Sequence, residues 1–154
     1  MVSPVHPGPA AASIPATIVQ SMIDHARTGV PNEACGLIVG DRPAAAGGRA
    51  LRFEPTRNAA ASPYRYEIHP EDLYRLTVAT DDADQVFWGI VHSHTHTPAV
   101  PSPTDVGESE LLLPGEHVPI VLGDRGEAEF AAARAMLAER RNEVAPIIDA
   151  MLRS

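Results

Sequence analysis

At 154 residues, 44% of them apolar and 21% charged, the chain is long enough for one domain with a single sizeable core and is globular in composition. A formal net charge of -8 and a pI near 5.2 speak against nucleic acid or an anionic membrane surface as a partner, because both attract basic faces. The single cysteine, Cys35, excludes an intramolecular disulfide and suits a reducing compartment. No apolar run approaches the ~20 residues of a membrane helix. The N-terminal stretch has no lysine or arginine before Arg27, and its prolines interrupt any apolar segment, unlike a secretory signal. The expected location is the cytoplasm.

Residues 1–13 are rich in proline and alanine and read as a flexible tail, leaving residues 14–154 as the domain. Ile18, Met22 and Ile23, with Val19 beside them, recur at helical spacing and predict a helix over 15–27, stopped by Thr28-Gly29 and Pro31. Residues 34–39, ACGLIV, form an apolar run that predicts a buried strand ending at Gly40-Asp41, followed by an Ala/Gly/Pro-rich loop to residue 49. Weaker strands are expected over 50–53 and 64–68. Pro70 suits the first turn of a helix, and Leu73, Leu76 and Thr77 extend it to residue 81. The strongest strand pattern covers 85–93. A short helix over 106–113, a buried strand over 117–122 and a helical tail over 127–152, interrupted near Pro146, complete the chain. Helices alternating with apolar strands predict an α/β or α+β domain.

The chemistry concentrates in HSHTHTPAVPSPTD, residues 92–105. His92 and His94 follow the strongest strand, and residues two apart in extended backbone point to the same side, so both imidazoles can face one point. Two neutral imidazoles and one carboxylate form a common catalytic zinc set with a fourth position left for water. Asp105 supplies that carboxylate if the proline-rich connector folds back. Each half also has a plain structural reading. An HxH pair can be a solvated or core pair, and Ser102-Pro103-Thr104-Asp105 is a sound helix N-cap. The capping and ligand roles are compatible, because a helix start also fixes the carboxylate. Other HxH enzymes fit worse: an amidohydrolase barrel needs ~250 residues, and a zinc deaminase needs paired cysteines.

His92-Ser93-His94, seven residues, Ser102, two residues and Asp105, with an upstream Glu33 in PNEACGLIVG, resemble the JAMM motif of the MPN-plus zinc metalloproteases. The resemblance runs from about residue 14 to residue 124 and includes NAAASPYRY, residues 58–66, which is similar to the bacterial branch acting on ubiquitin-like sulfur-carrier proteins. It implies a mixed sheet flanked by helices in a deaminase-like single domain. It further implies Zn²⁺ held by His92, His94 and Asp105, with Glu33 as general base and Ser102 as oxyanion donor. The implied activity is hydrolysis after the C-terminal Gly-Gly of a small carrier, releasing cysteine or the mature carrier. Bacterial relatives end in two strands, so a degenerate hairpin over 130–136 and 144–148 competes with the helical reading of the tail. His96 is expected to face solvent or substrate, since the protein positions on zinc are already filled, and Cys35 to be a small buried residue. A metal-free MPN scaffold and a JAMM peptidase with another peptide substrate are the competing functions.

Overall fold

The computed structural model describes residues 14–96 and 117–123. In chain order these form helix α1 (Ala16–Gly29), strand β1 (Cys35–Gly40), a 3₁₀ turn (Ala44–Ala46), strand β2 (Ala50–Thr56), helix α2 (Pro70–Asp82), and strands β3 (Val86–Ser93) and β4 (Val118–Leu122). The strands make one mixed sheet in the order β2-β1-β3-β4. β1 is antiparallel to both neighbours, and β3 runs parallel to β4. A parallel pair needs a crossover of about a dozen residues or more, which residues 94–117 provide. Among the described residues no helix is long and apolar enough to cross a membrane.

The central strands are apolar because both of their faces are covered. Every residue of β1 is buried, and β3 is buried from Trp88 to Ser93. On one face α1 packs Ile18, Met22 and Ala26 against Ala34, Ile38, Trp88, Val91, Ile120 and Leu122. On the other, Leu76 of α2 joins Cys35, Leu37, Ile90, Tyr66 and Ile68. Gly40 is required where β1 passes Trp88, since a Cβ there would lie 2.6 Å from the indole Cδ1 and 2.9 Å from the Arg49 carbonyl oxygen. The edge strand β2 carries an Arg52–Glu54 ion pair at 2.7 Å and Pro55, both suited to an edge position.

Most predicted elements agree with the structure to within a few residues, and β2 runs three residues further than expected. The exception is the strand expected over 64–68. That segment makes only one isolated antiparallel bridge, Asn58 to Ile68. The alternation there is real, because Tyr66 and Ile68 are both buried. However, Pro63 has no N–H, and the Asn58 side chain takes up the Arg65 carbonyl and the Glu67 amide that a ladder would need. The tail over 1–13, the helix over 106–113 and the segment 127–152 lie outside the described residues.

Candidate metal centre

The centre forms where β3 ends. His92 is the penultimate residue of the strand and His94 follows it, so both rings leave the sheet on one side while Ser93 turns to the other. Their Nε2 atoms stand 3.0 Å apart. The His92 ring lies on Tyr66, with centroids 4.3 Å apart and planes 18° from parallel. The His94 amide donates to the Leu122 carbonyl at 2.8 Å, which ties the second histidine to β4.

Glu33 arrives from the connection between α1 and β1. Next to it, the Ala34 amide donates to Ser93 Oγ at 2.9 Å, and the Ser93 amide donates to the Ala34 carbonyl at 2.9 Å. The middle residue of the HxH pair therefore couples the Glu33 segment to the histidine strand. Thr95 Oγ1 adds a bond to the Pro31 carbonyl at 2.8 Å. Glu33, His92 and His94 are 3%, 3% and 4% exposed, and one ligand atom from each lies within 4.8 Å of the others.

This donor set fits a divalent cation. Burying a carboxylate beside two imidazoles is costly unless a charge of opposite sign balances it. Two imidazole nitrogens on one tetrahedral zinc, at Zn–N distances of 2.0–2.1 Å, stand about 3.3 Å apart, close to the separation found here. The carboxylate distance suits either direct ligation or contact through one water. Asp105 and Ser102 lie outside the described residues.

His96 stands apart from this cluster. It is exposed, shares a 2.8 Å hydrogen bond with Thr95 Oγ1 and lies beside the exposed Tyr64. Burial pushes the Cys35 thiol up to about 11, in keeping with a small buried residue. The sequence reading overlooked Asn58, Tyr66, Ser93 and His69. The first three brace Glu33 or the histidines through contacts distant in sequence. His69 caps α2 by accepting the Glu71 amide at Nδ1.

The family model described as prokaryotic homologs of the JAB domain matches residues 15–142. The chain belongs to this family. It is 41% identical over 93 residues to a protein of Mycobacterium tuberculosis named CysO-cysteine peptidase, a match covering 60% of this chain and 62% of that protein. It is 36% identical over 98 residues to a protein of Haloferax volcanii named desampylase, covering 60% of this chain and 68% of that one. The match thus spans less than two thirds of the mycobacterial relative. A solution structure of a protein from Desulfitobacterium hafniense superposes with a TM-score of 0.57 at 29% identity, covering 70% of this chain and 71% of that one. The fold is accordingly a single JAB-like domain with Glu33, His92 and His94 positioned to bind a metal.

Proposed function

We propose that the protein is a zinc peptidase that hydrolyses the bond after the C-terminal Gly-Gly of a small ubiquitin-like sulfur-carrier protein, releasing cysteine in the cytoplasm. The observation that carries this reading is the buried convergence of Glu33, His92 and His94. A metal-free scaffold has no use for a carboxylate buried against two facing imidazoles. Similarity to the relative named CysO-cysteine peptidase supports the choice of adduct.

In this reading His92, His94 and Asp105 hold the zinc, and Glu33 is the general base. When bound, zinc supplies a Lewis acid that polarises the scissile carbonyl and lowers the pKa of water from 15.7 toward about 7. Glu33 accepts the proton of the attacking water as the carbon–oxygen bond forms, and delivers it to the leaving amine as the carbon–nitrogen bond breaks. Ser102 donates a hydrogen bond to the developing oxyanion, an interaction worth ~10²–10³ in turnover. Two glycines without side chains let the carrier tail pass close to a site at a strand end. The globular part of the carrier binds remotely and contributes energy away from the bond cut.

The test is mass spectrometry of a carrier–cysteine adduct incubated with zinc-loaded protein. Release of free cysteine and a carrier ending in Gly-Gly is expected. Glu33→Gln should keep its zinc and lose ~10²–10⁴ in turnover, the usual contribution of a positioned base. Similarity to the relative named desampylase favours one further substrate of the same class, a carrier joined to a protein through an isopeptide bond. Cleavage of that conjugate, with the cysteine adduct left intact, would transfer the assignment to it.

A further inference from the structure

Glu33 has no helix or strand to hold it, yet a general base must be placed to a fraction of an ångström. Its neighbour Ala34 is fastened to β3 through Ser93. Glu33 itself is fastened on the opposite side. Its amide donates to the Ser62 carbonyl at 2.9 Å, and its carbonyl accepts from Asn58 Nδ2 at 2.9 Å. The second Nδ2 proton of Asn58 goes to the Arg65 carbonyl at 3.1 Å. Asn58 Oδ1 accepts the Ala60 and Glu67 amides at 3.0 and 2.9 Å. Both donors and both acceptor sites of this amide are thus in use. Its orientation is also fixed, because backbone N–H groups only donate and carbonyls only accept.

The anchor continues into the fold. Asp72 of α2 accepts the Arg57 amide at 2.8 Å and the Arg57 guanidinium at 3.2 and 3.0 Å, while the His69 amide donates to the Arg57 carbonyl at 3.0 Å. The residue before Asn58 is therefore tied to α2, and Asn58 carries that reference point to Glu33.

We propose that Asn58 is the positioning residue for Glu33: it organises the loop over 58–67 and uses that loop to hold the backbone of the base in register with His92 and His94. The proposal rests on the reading of Glu33 as general base. Misplacing a reacting group by about 1 Å can cost ~10²-fold in rate.

Two variants separate this role from simple loop stability. Asn58→Asp keeps Oδ1 for the Ala60 and Glu67 amides but removes the donor to Glu33, whereas Asn58→Ala removes everything without adding charge. Hydrogen exchange should show the Glu33 amide opening at least about tenfold faster in both variants. The Ala60 and Glu67 amides should stay protected in Asn58→Asp alone. On a carrier–cysteine adduct, kcat should fall roughly 10–100-fold with KM nearly unchanged. Zinc affinity, titrated with the metal alone, should stay within about threefold in Asn58→Asp, which still holds the Glu67 amide beside the Tyr66 that lies on His92, whereas Asn58→Ala releases both neighbours of Tyr66 and can weaken zinc as well. Adding either variant to Glu33→Gln should cost nothing more, the signature of two residues acting as one unit.

Additive losses, a fall in zinc affinity parallel to kcat in Asn58→Asp, or unchanged kcat with a loosened Glu33 amide would each overturn the positioning role. If the wild-type protein cleaves no Gly-Gly carrier adduct or conjugate, the peptidase reading fails. The exchange data still decide separately whether Asn58 holds Glu33, and unaltered Glu33 protection in both variants overturns that.

Discussion

The two faces of the sheet are built on different principles. Beneath α1 the packed cluster runs from Ile18 and Met22 through Trp88 to Leu122, with buried Ser93 at the strand end as its polar neighbour. Beneath α2 the apolar residues Leu37, Ile68, Leu76 and Ile90 are interleaved with buried Thr56, Asp72 and His92. The difference follows from what covers each face. A helix satisfies its own backbone and can present a dry stripe. The connection between β2 and α2 has no ladder, so its backbone is satisfied by side chains such as Asn58 and Asp72. Those side chains bring hydrogen-bonding capacity into the interior, and the metal-binding set lies on that side. Stability and chemistry are thus divided between opposite faces of β1 and β3, and that division can be tested.

The largest effect should come from the polar face. On the proposed ligand set, His92→Ala or His94→Ala leaves two protein ligands of three, and elemental analysis should show zinc weakened well beyond the roughly 10–100-fold cost of losing an outer-shell partner. Asp105→Ala should do the same. The fold should survive the histidine changes, because the apolar face is untouched; circular dichroism checks this. Full zinc occupancy in any of the three would remove that residue from the ligand set.

The mirror experiment is on the dry face. Trp88 is 1% exposed within the α1 cluster and donates Nε1–H to the Gly48 carbonyl at 3.0 Å. Trp88→Ala should destabilise the protein by about 3–5 kcal/mol, read from urea unfolding. The fraction that remains folded should still bind zinc. Loss of zinc at conditions where Trp88→Ala is fully folded would show that the two faces are coupled.

How much of this was legible depends on the range over which each residue acts. His92 and His94 were legible because spacing of two at the end of an apolar strand is a local rule, and the structure turns both toward one point. The helices and central strands followed from periodicity in the same way. Glu33 has no local pattern and came only from the motif. Asn58 and Tyr66 were quoted within a segment resembling the family, yet their contacts with Glu33 and His92 span 25 and 26 positions, beyond any periodic signal. The false strand over 64–68 arose because alternation reports burial, and a loop can bury alternate residues as well as a strand can. Ser102 and Asp105 lie outside the described residues, so their roles rest on the motif.

A smaller effect is expected at the anchor of the polar face. The Arg57 guanidinium and amide hold the Asp72 carboxyl down at about 2, below its ordinary 3.8. A carboxylate whose folded value is depressed contributes stability that is complete above the unfolded value and is lost as pH falls through the folded one. Wild-type protein should therefore lose stability between about pH 5 and pH 2 more steeply than Asp72→Asn. Urea unfolding at a series of pH values measures the difference. The effect should be modest and weaken with salt, because the Arg57 side chain is 58% exposed and its charge is screened. Identical acid limbs would show that the ion pair contributes nothing.

The smallest effect should come from His69, which lies on the same connection but makes no contact with the candidate ligands among its hydrogen bonds. Its Nδ1 accepts the Glu71 amide at 3.2 Å, satisfying one of the free N–H groups in the first turn of α2, with Pro70 following at the first helical position. His69→Ala removes that acceptor and should cost about 0.5–1 kcal/mol, which lowers Tm by roughly 1–4 °C in a chain of this size. His69→Asn should restore or slightly exceed wild-type stability, since asparagine is a preferred cap and adds no charge beside Glu71 and Asp72. Both variants keep the main-chain bond from residue 69 to the Arg57 carbonyl, so the reference point for Asn58 is retained. Zinc affinity and turnover should therefore match wild type in both. A change in either, at equal folded fraction, would mean that the connection passes strain from the helix start to the metal centre, and the separation of roles would then have to be drawn within the polar face as well as between the two.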